Sequence, residues 1–325
     1  MSRRITNAMA TLTITGALLA SCGGGGGSAS FGGGIGGSGI VLGVITDFGS
    51  VVVEGIEFDV SGATITVDGR PATEAELAVG MVVTVRGEVD ANGTSGVADS
   101  VEFESLVEGP IESVDATTRE AVVLGNPIRA ADDTILDGVA FEPSDVGSIV
   151  QVSGFVDSAG DVRATRIARV DPAAPFVLGG IIRALDLTAQ TFRIRLITVD
   201  ISNAVVSGVP PGGLRNGLAA RVVVSTPPSA GVVQADAVVV REIAIDKIED
   251  VRVLLRGIVT TALDAGSFVL NDTVRVEVVR ETELVNGSTA DLDADAMLEV
   301  VGLVTRARSI VAERITLRSG NALVW

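Results

Sequence analysis

At 325 residues, 47% hydrophobic and 20% charged, the chain holds enough apolar material for several packed cores. The apolar residues are mostly Val, Ala, Ile and Leu, with only 3% aromatics, and β-branched side chains suit a pleated, half-buried surface, so β structure is expected. A formal charge of −17 with so few rings argues against nucleic-acid binding, which needs basic patches and stacking faces. It also disfavours direct attraction to anionic lipid heads, and it suits a repetitive β protein that must stay soluble.

The chain opens with MSRRITNAMATLTITGALLASC. Arg3 and Arg4 form a basic start, a short apolar run follows, and small residues precede Cys22. That order is the signature of an export signal, and the run is too short to span a bilayer. The ending Leu19-Ala20-Ser21-Cys22 resembles the bacterial lipobox. The resemblance implies cleavage before Cys22, lipid attachment to its sulfur, and anchoring by several acyl chains. It is the chain's one cysteine, so no disulfide partner competes for it. Gly23 follows in place of the Asp that favours inner-membrane retention, which points to the outer membrane. Residues 23–39 (GGGGGSASFGGGIGGSG) read as a flexible tether of roughly 20–25 Å reach. A phosphate-binding reading of this glycine run lacks the strand before it and the helix after it.

From residue 40 the chain repeats itself. Each copy opens with a glycine-aliphatic strand running to an Asp: GVITD at 43, GPIESVD at 109, GGIIRALD at 179 and RGIVTTALD at 256. A strand and tight turn follow, as VVVEGIEF, AVVLGNPI, TFRIRLITV and SFVLNDTV. A third strand is expected at 64–69, 134–138, 204–208 and 282–287. A short polar stretch comes next; in the first copy Thr73 and Glu76 have the spacing of a capping box on one helical turn. A hairpin closes each copy. In the first it reads GMVVTVRGEVDANGTSGVADSV, with Val82, Thr84 and Arg86 on one face and Val83 and Val85 on the other. The last strand carries Ala98, Ala164, Ala235 or Ala312, a small residue that permits close approach.

Five short strands in about 65–75 residues, with regular turns, indicate small antiparallel barrels or sandwiches. A helical turn between strands three and four favours all-β, tandem five-stranded OB-like barrels, with β-sandwich repeats as the alternative. The expected organisation is a signal peptide at 1–21, the lipidated Cys22 and tether at 22–39, and repeats at 40–105, 106–171, 172–246 and 247–325. Neighbouring repeats should pack into a rod or a pair of pairs, since each buries too little surface alone. The first two copies, over about 39–171, look like the bacterial family called domain of unknown function 5666. Members occur in tandem in exported proteins and lipoproteins, and the resemblance brings no activity or catalytic residue.

The chemical inventory is sparse. There is no histidine, no tyrosine and a single lysine, Lys247, so Ser-His, Cys-His and common zinc constellations cannot form. No catalytic, cofactor-binding or metal residue is assigned. Asp291, Asp293 and Asp295 resemble the start of a calcium loop, but Ala296 and Gly302 stand where its glycine and glutamate belong. A solvated turn is the simpler reading. Asp132-Asp133 and 246–250 are weaker acidic clusters. Asn92-Gly93-Thr94 and Asn286-Gly287-Ser288 fit a glycosylation sequon and equally an Asn-Gly turn, and Trp325 either packs the last barrel or meets a partner. The expected protein is a non-catalytic, lipid-anchored envelope component that spaces or binds, with a protein or glycan as partner. The alternatives are a surface-assembly component joined through sheet edges and a carboxylate-pair hydrolase.

Overall fold

The computed structural model describes residues 37–47, 50–172, 175–242, 250–264, 266–306 and 309–318. Cys22, most of the tether and Trp325 lie outside them. Apart from short 3-10 turns, the regular elements described are all strands.

The first repeat holds β1 (Gly37–Asp47), β2 (Val51–Val53), β3 (Ile56–Asp59), β4 (Thr64–Val67), β5 (Arg70–Ala72), β6 (Val82–Val89) and β7 (Ser95–Phe103). The second holds β8 (Val107–Asp115), β9 (Glu120–Val123), β10 (Asn126–Asp137), β11 (Ile149–Val156) and β12 (Val162–Arg169). The third is more broken: β13 (Phe176–Ile181), β14 (Arg183–Asp186), β15 (Thr191–Ile194), β16 (Ile197–Asp200), β17 (Val205–Ser207), β18 (Ala219–Val224), β19 (Val232–Gln234) and β20 (Ala237–Arg241). The fourth returns to five: β21 (Arg252–Asp264), β22 (Ser267–Leu270), β23 (Val274–Val285), β24 (Met297–Val304) and β25 (Ser309–Arg318).

The second repeat shows the plan most simply. β8 pairs with β9, β9 with β10, β10 with β12, β12 with β11, and β11 returns to β8. The circuit closes into a small barrel. The sequence suggested antiparallel pairing throughout, yet β10 and β12 run parallel, as do their counterparts in the other repeats. The hairpin strand must cross the barrel end before pairing, and the polar stretch provides that crossing. In the first repeat it is a 3-10 turn at Glu74–Glu76, where the Thr73 N–H donates to Glu76 Oε1 at 3.1 Å, as the capping-box spacing predicts. The expected third strands are separate short strands in the first and third repeats, β4 and β17, and the far halves of longer ones in the second and fourth. Each longer strand starts directly after the tight turn and shifts register midway, between Ala130 and Ile135 in β10 and between Val278 and Glu283 in β23.

The small residue of the last strand has a partner that explains it. Gly87 faces Ala98, Gly154 faces Ala164 and Gly302 faces Ala312, each at a register shift in the closing hairpin. A Cβ on Gly87 would lie 2.1 Å from the Val97 carbonyl oxygen, so only glycine lets the hairpin coil this tightly. Within that hairpin Val83, Val85 and Val89 are buried, while Val82, Thr84 and Arg86 are half-buried on the other face.

The repeats join in pairs by sharing sheets. Gly39–Leu42 of β1 lie parallel to Arg252–Leu255 of β21, making one twelve-stranded sheet from the first and fourth repeats. Val107 and Glu108 of β8 pair with Leu178 and Val177 of β13, making a nine-stranded sheet from the second and third. Residues 37–39, assigned by composition to the tether, are already paired with Gly87–Val89. The second and third repeats share one continuous core; the first and fourth each have a core that borrows from the other, Leu254 and Val301 joining the first and Ile40 the fourth. A small cluster of Val44, Phe155, Ile258 and Met297 draws on the first, second and fourth repeats.

Candidate functional site

A single local device recurs in every repeat and points to the seams. The tight turn after the second strand places a non-glycine residue at positive φ: Glu54, Leu124, Arg195 and Asn271, at 49°, 47°, 50° and 51°. That conformation lays the side chain back across the first strand, where glycine makes room. A Cβ on Gly43 would meet the Glu54 side chain, one on Gly109 would meet Leu124, and one on Gly257 would meet Asn271. On Gly180 it would lie 3.2 Å from Arg195 Nη1. Three of these side chains bond the strand they cross, Arg195 by donating to the Gly179 carbonyl at 2.6 Å. Glu54 Oε1 accepts from the Val44 N–H at 2.9 Å, and Asn271 Oδ1 accepts from the Ile258 N–H at 3.1 Å. The opening glycine of each repeat is therefore a saddle for a turn residue of another chemistry.

Where the four repeats meet, the structure holds a cavity of about 240 Å³. Leu42, Val82 and Thr84 come from the first repeat, Leu106, Phe155 and Val156 from the second, and Gly180, Ile181, Arg195 and Arg241 from the third. Asn271 and Asp272 of the fourth complete the wall with Glu102 and Glu104. Val82 and Thr84, on the half-buried face of the closing hairpin, thus line the cavity. Its walls are apolar with a few polar groups.

The polar groups fall into two sets. Arg241 is paired with both Glu102 and Glu104. Burial pushes the Glu104 carboxyl up to about 7; Arg241 opposes the shift, and Glu102 and Asp68 add to it. Beside them Asp68 is buried, accepting from Ser105 N at 2.9 Å, Ser105 Oγ at 2.8 Å and Gln151 Nε2 at 3.2 Å, with Arg221 Nε 3.7 Å away. Glu108 is raised by burial first and by Asp68 second. The second set is Arg195 alone. Nε donates to Asn126 Oδ1 at 3.1 Å, Nη1 to the Gly179 carbonyl at 2.6 Å and Nη2 to the Leu106 carbonyl at 3.1 Å. Every one of these partners is neutral, and burial lowers the guanidinium to about 10.

The model of the family described as domain of unknown function (DUF5666) matches residues 38–102, 108–168 and 256–316, more than half of the chain. The chain belongs to this family. No curated protein matches it. The three matched DUF5666 segments are the first, second and fourth repeats, while Arg195 and Arg241 sit in the third, outside them. That repeat splits its strands between two sheets and has Pro210-Pro211-Gly212-Gly213 near the position of the 3-10 turn.

The other sequence candidates of this DUF5666 chain go to separate places. Asp291 accepts from Ser288 N and Oγ, each at 2.8 Å, and caps its own turn. Asp293 is exposed. Asp295 accepts from the Ser158 N–H at 2.9 Å, tying the fourth repeat to the second. Among the described residues no group of three or more acidic, Cys or His side chains is arranged to hold a metal ion. Asn92 Oδ1 accepts from the Thr94 N–H at 3.2 Å within its turn, and Asn286 has φ of 61°. Asp132 and Asp133 lie in the irregular middle of β10, and most of the 246–250 cluster falls outside the described residues. Arg195, Glu104 and Arg241 were not singled out by sequence reasoning. The available signal was the repeat itself: one turn position filled by Glu, Leu, Arg and Asn is chemically too varied for a plain solvated turn.

Proposed function

We propose that the chain is a non-catalytic, lipid-anchored cell-envelope protein whose four barrels work together as one binding body. The observation that carries this reading is the junction cavity, because its wall draws on all four repeats. A string of independent spacers has no need of a joint wall; shared sheets hold the first repeat to the fourth and the second to the third, and bonds such as Val82 N–H to Ser153 Oγ at 2.8 Å link the pairs. The anchor rests on Leu19-Ala20-Ser21-Cys22, with the outer membrane favoured by Gly23. Assembly through sheet edges is the weaker alternative, since the circuits of the first, second and fourth repeats close on themselves and leave little free edge.

A hydrolase reading has one observation in its favour: Glu104 is raised beside Glu102, as an acid and base pair would be. Both are held on the same guanidinium, however, and a wall with Phe155 as its ring offers little platform for a sugar. Two experiments test the proposal. Cys22→Ser should move the protein from the membrane to the soluble fraction; unchanged fractionation refutes the anchor. Native mass spectrometry of protein purified from envelopes should show a bound small molecule that Val82→Trp removes. An adduct equally present in that variant refutes the cavity as the binding site.

A further inference from the structure

Arg195 is the one charge in the cavity wall that lacks an opposite partner. Glu102 and Glu104 share Arg241, and Asp272 Oδ1 accepts from Arg183 Nη2 at 2.7 Å. Among the described residues no carboxylate lies within ion-pair distance of Arg195. A guanidinium has five N–H donors, and Arg195 uses one on each nitrogen for Asn126, Gly179 and Leu106. One N–H on each terminal nitrogen stays uncommitted, and a guanidinium N–H makes a strong, charge-assisted bond to a carboxylate. Holding a desolvated charge among neutral carbonyls is costly for a protein that needs only packing there. The second and fourth repeats fill the same turn position with Leu124 and Asn271.

We propose that the junction cavity binds a small amphipathic carboxylate, its apolar chain against Leu42, Val82, Leu106, Phe155 and Ile181 and its carboxylate on the terminal nitrogens of Arg195. This rests on the reading of the junction as a binding site and adds the chemical class of its occupant. The chain's overall charge of −17 opposes an anion at long range, but exposed charges are screened beyond about 8–10 Å. The contact with Arg195 is direct. Binding also gives the buried guanidinium the counter-charge it lacks, so an acid should be preferred to an uncharged molecule of equal length.

The test compares octanoate with octanol on the purified full-length protein, following the carboxyl ¹³C resonance of labelled octanoate and its displacement by octanol. The expected result is octanoate binding at least about tenfold tighter, as one charge-assisted contact supplies. Arg195→Met should bring the two ligands to parity while octanol still binds, and Ile181→Trp should abolish both by filling the cavity. Equal binding of octanoate and octanol by the native chain overturns the carboxylate assignment and leaves the cavity as a binding site. Binding of neither overturns both. Octanoate binding unchanged in Ile181→Trp places the ligand elsewhere and overturns the assignment. If Arg195→Met fails to fold, the native preference and the Ile181→Trp result still decide.

Discussion

The seam between the first and fourth repeats rests on a buried ion pair whose removal should be costly and measurable. Glu54 and Arg256 are 202 residues apart, yet Arg256 Nη1 lies 3.3 Å from Glu54 Oε1, with both side chains 3% exposed. At that distance their attraction is about 5 kcal/mol for an effective dielectric of about 20. Desolvating the two charges costs a similar amount, so the pair is near neutral as a whole. Burial, the first cause, raises the Glu54 carboxyl, and Arg256 opposes the shift. Arg256→Met removes the attraction and leaves the desolvation, for a predicted loss of about 3–5 kcal/mol at neutral pH. The loss should shrink in acid, where Glu54 takes up a proton and its burial no longer costs a charge. Glu54→Gln combined with Arg256→Met should recover much of the stability. Urea unfolding of the two single variants and the double variant, at several pH values, measures the coupling. A single-variant loss under about 1 kcal/mol, or losses that simply add, would refute the argument.

Three further outcomes follow from contacts already described. Gly87→Ala should cost more than about 3 kcal/mol or prevent folding, because its Cβ meets backbone 2.1 Å away. Gly69→Ala, with φ of 73° but open space around it, should cost only about 1 kcal/mol; equal losses in thermal unfolding would remove the close-approach argument. Glu104 has its folded value raised from 4.5 to about 7, so its contribution is fully present below about 4.5 and is lost as pH rises through about 7. The corresponding fall in stability is about 3 kcal/mol. Glu104→Gln should flatten the decline between those values, and an unchanged pH profile would show that burial does not govern this carboxyl. Asp295→Ala deletes the bond from Ser158 and should cost about 0.5–1.5 kcal/mol, with faster amide exchange at Ser158. Exchange at native rate would mean the contact is not made in solution.

Much of the fold was readable because it is written in two local codes that repetition makes visible. Alternation separated Val83 and Val85 from Val82, Thr84 and Arg86, and the structure buries the first face; the spacing of Thr73 and Glu76 gave a capped helical turn, which is the 3-10 turn at Glu74–Glu76. Ala98 and its equivalents marked a close approach, though its glycine partner shows only in the register. The parallel pairing of the third and fifth strands was not legible, since period-two alternation is the same for either direction. The fusion of the first repeat with the fourth was also hidden. It depends on Gly39–Leu42 meeting Arg252–Leu255 across more than two hundred residues, and no local pattern encodes that choice. The cavity was missed for the same reason, because its wall is made of outer faces that a single barrel would leave to solvent.

The turn position shared by the repeats explains how one construction unit acquires different roles without changing its strands. Its side chain is carried across the first strand and over a glycine, and in the first and third repeats it reaches into another repeat. Glu54 there meets Arg256 of another repeat, Leu124 packs on Gly109, Asn271 ties down the backbone around Gly257, and Arg195 reaches carbonyls of two repeats. The glycine and the positive φ are needed by the geometry in every copy, while the side chain is limited only by what lies across the seam. Substitution at this position can therefore alter how repeats join, or what the junction holds, with little effect on the barrel that carries it. Exchanging the half-buried Asn271 for Leu, the residue its counterpart uses, should leave the fourth barrel folded and loosen only the backbone it bonds at Arg256 and Ile258. Amide exchange confined to β21 and β22 would show that outcome, whereas loss of protection throughout β23–β25 would show that the turn belongs to the barrel core.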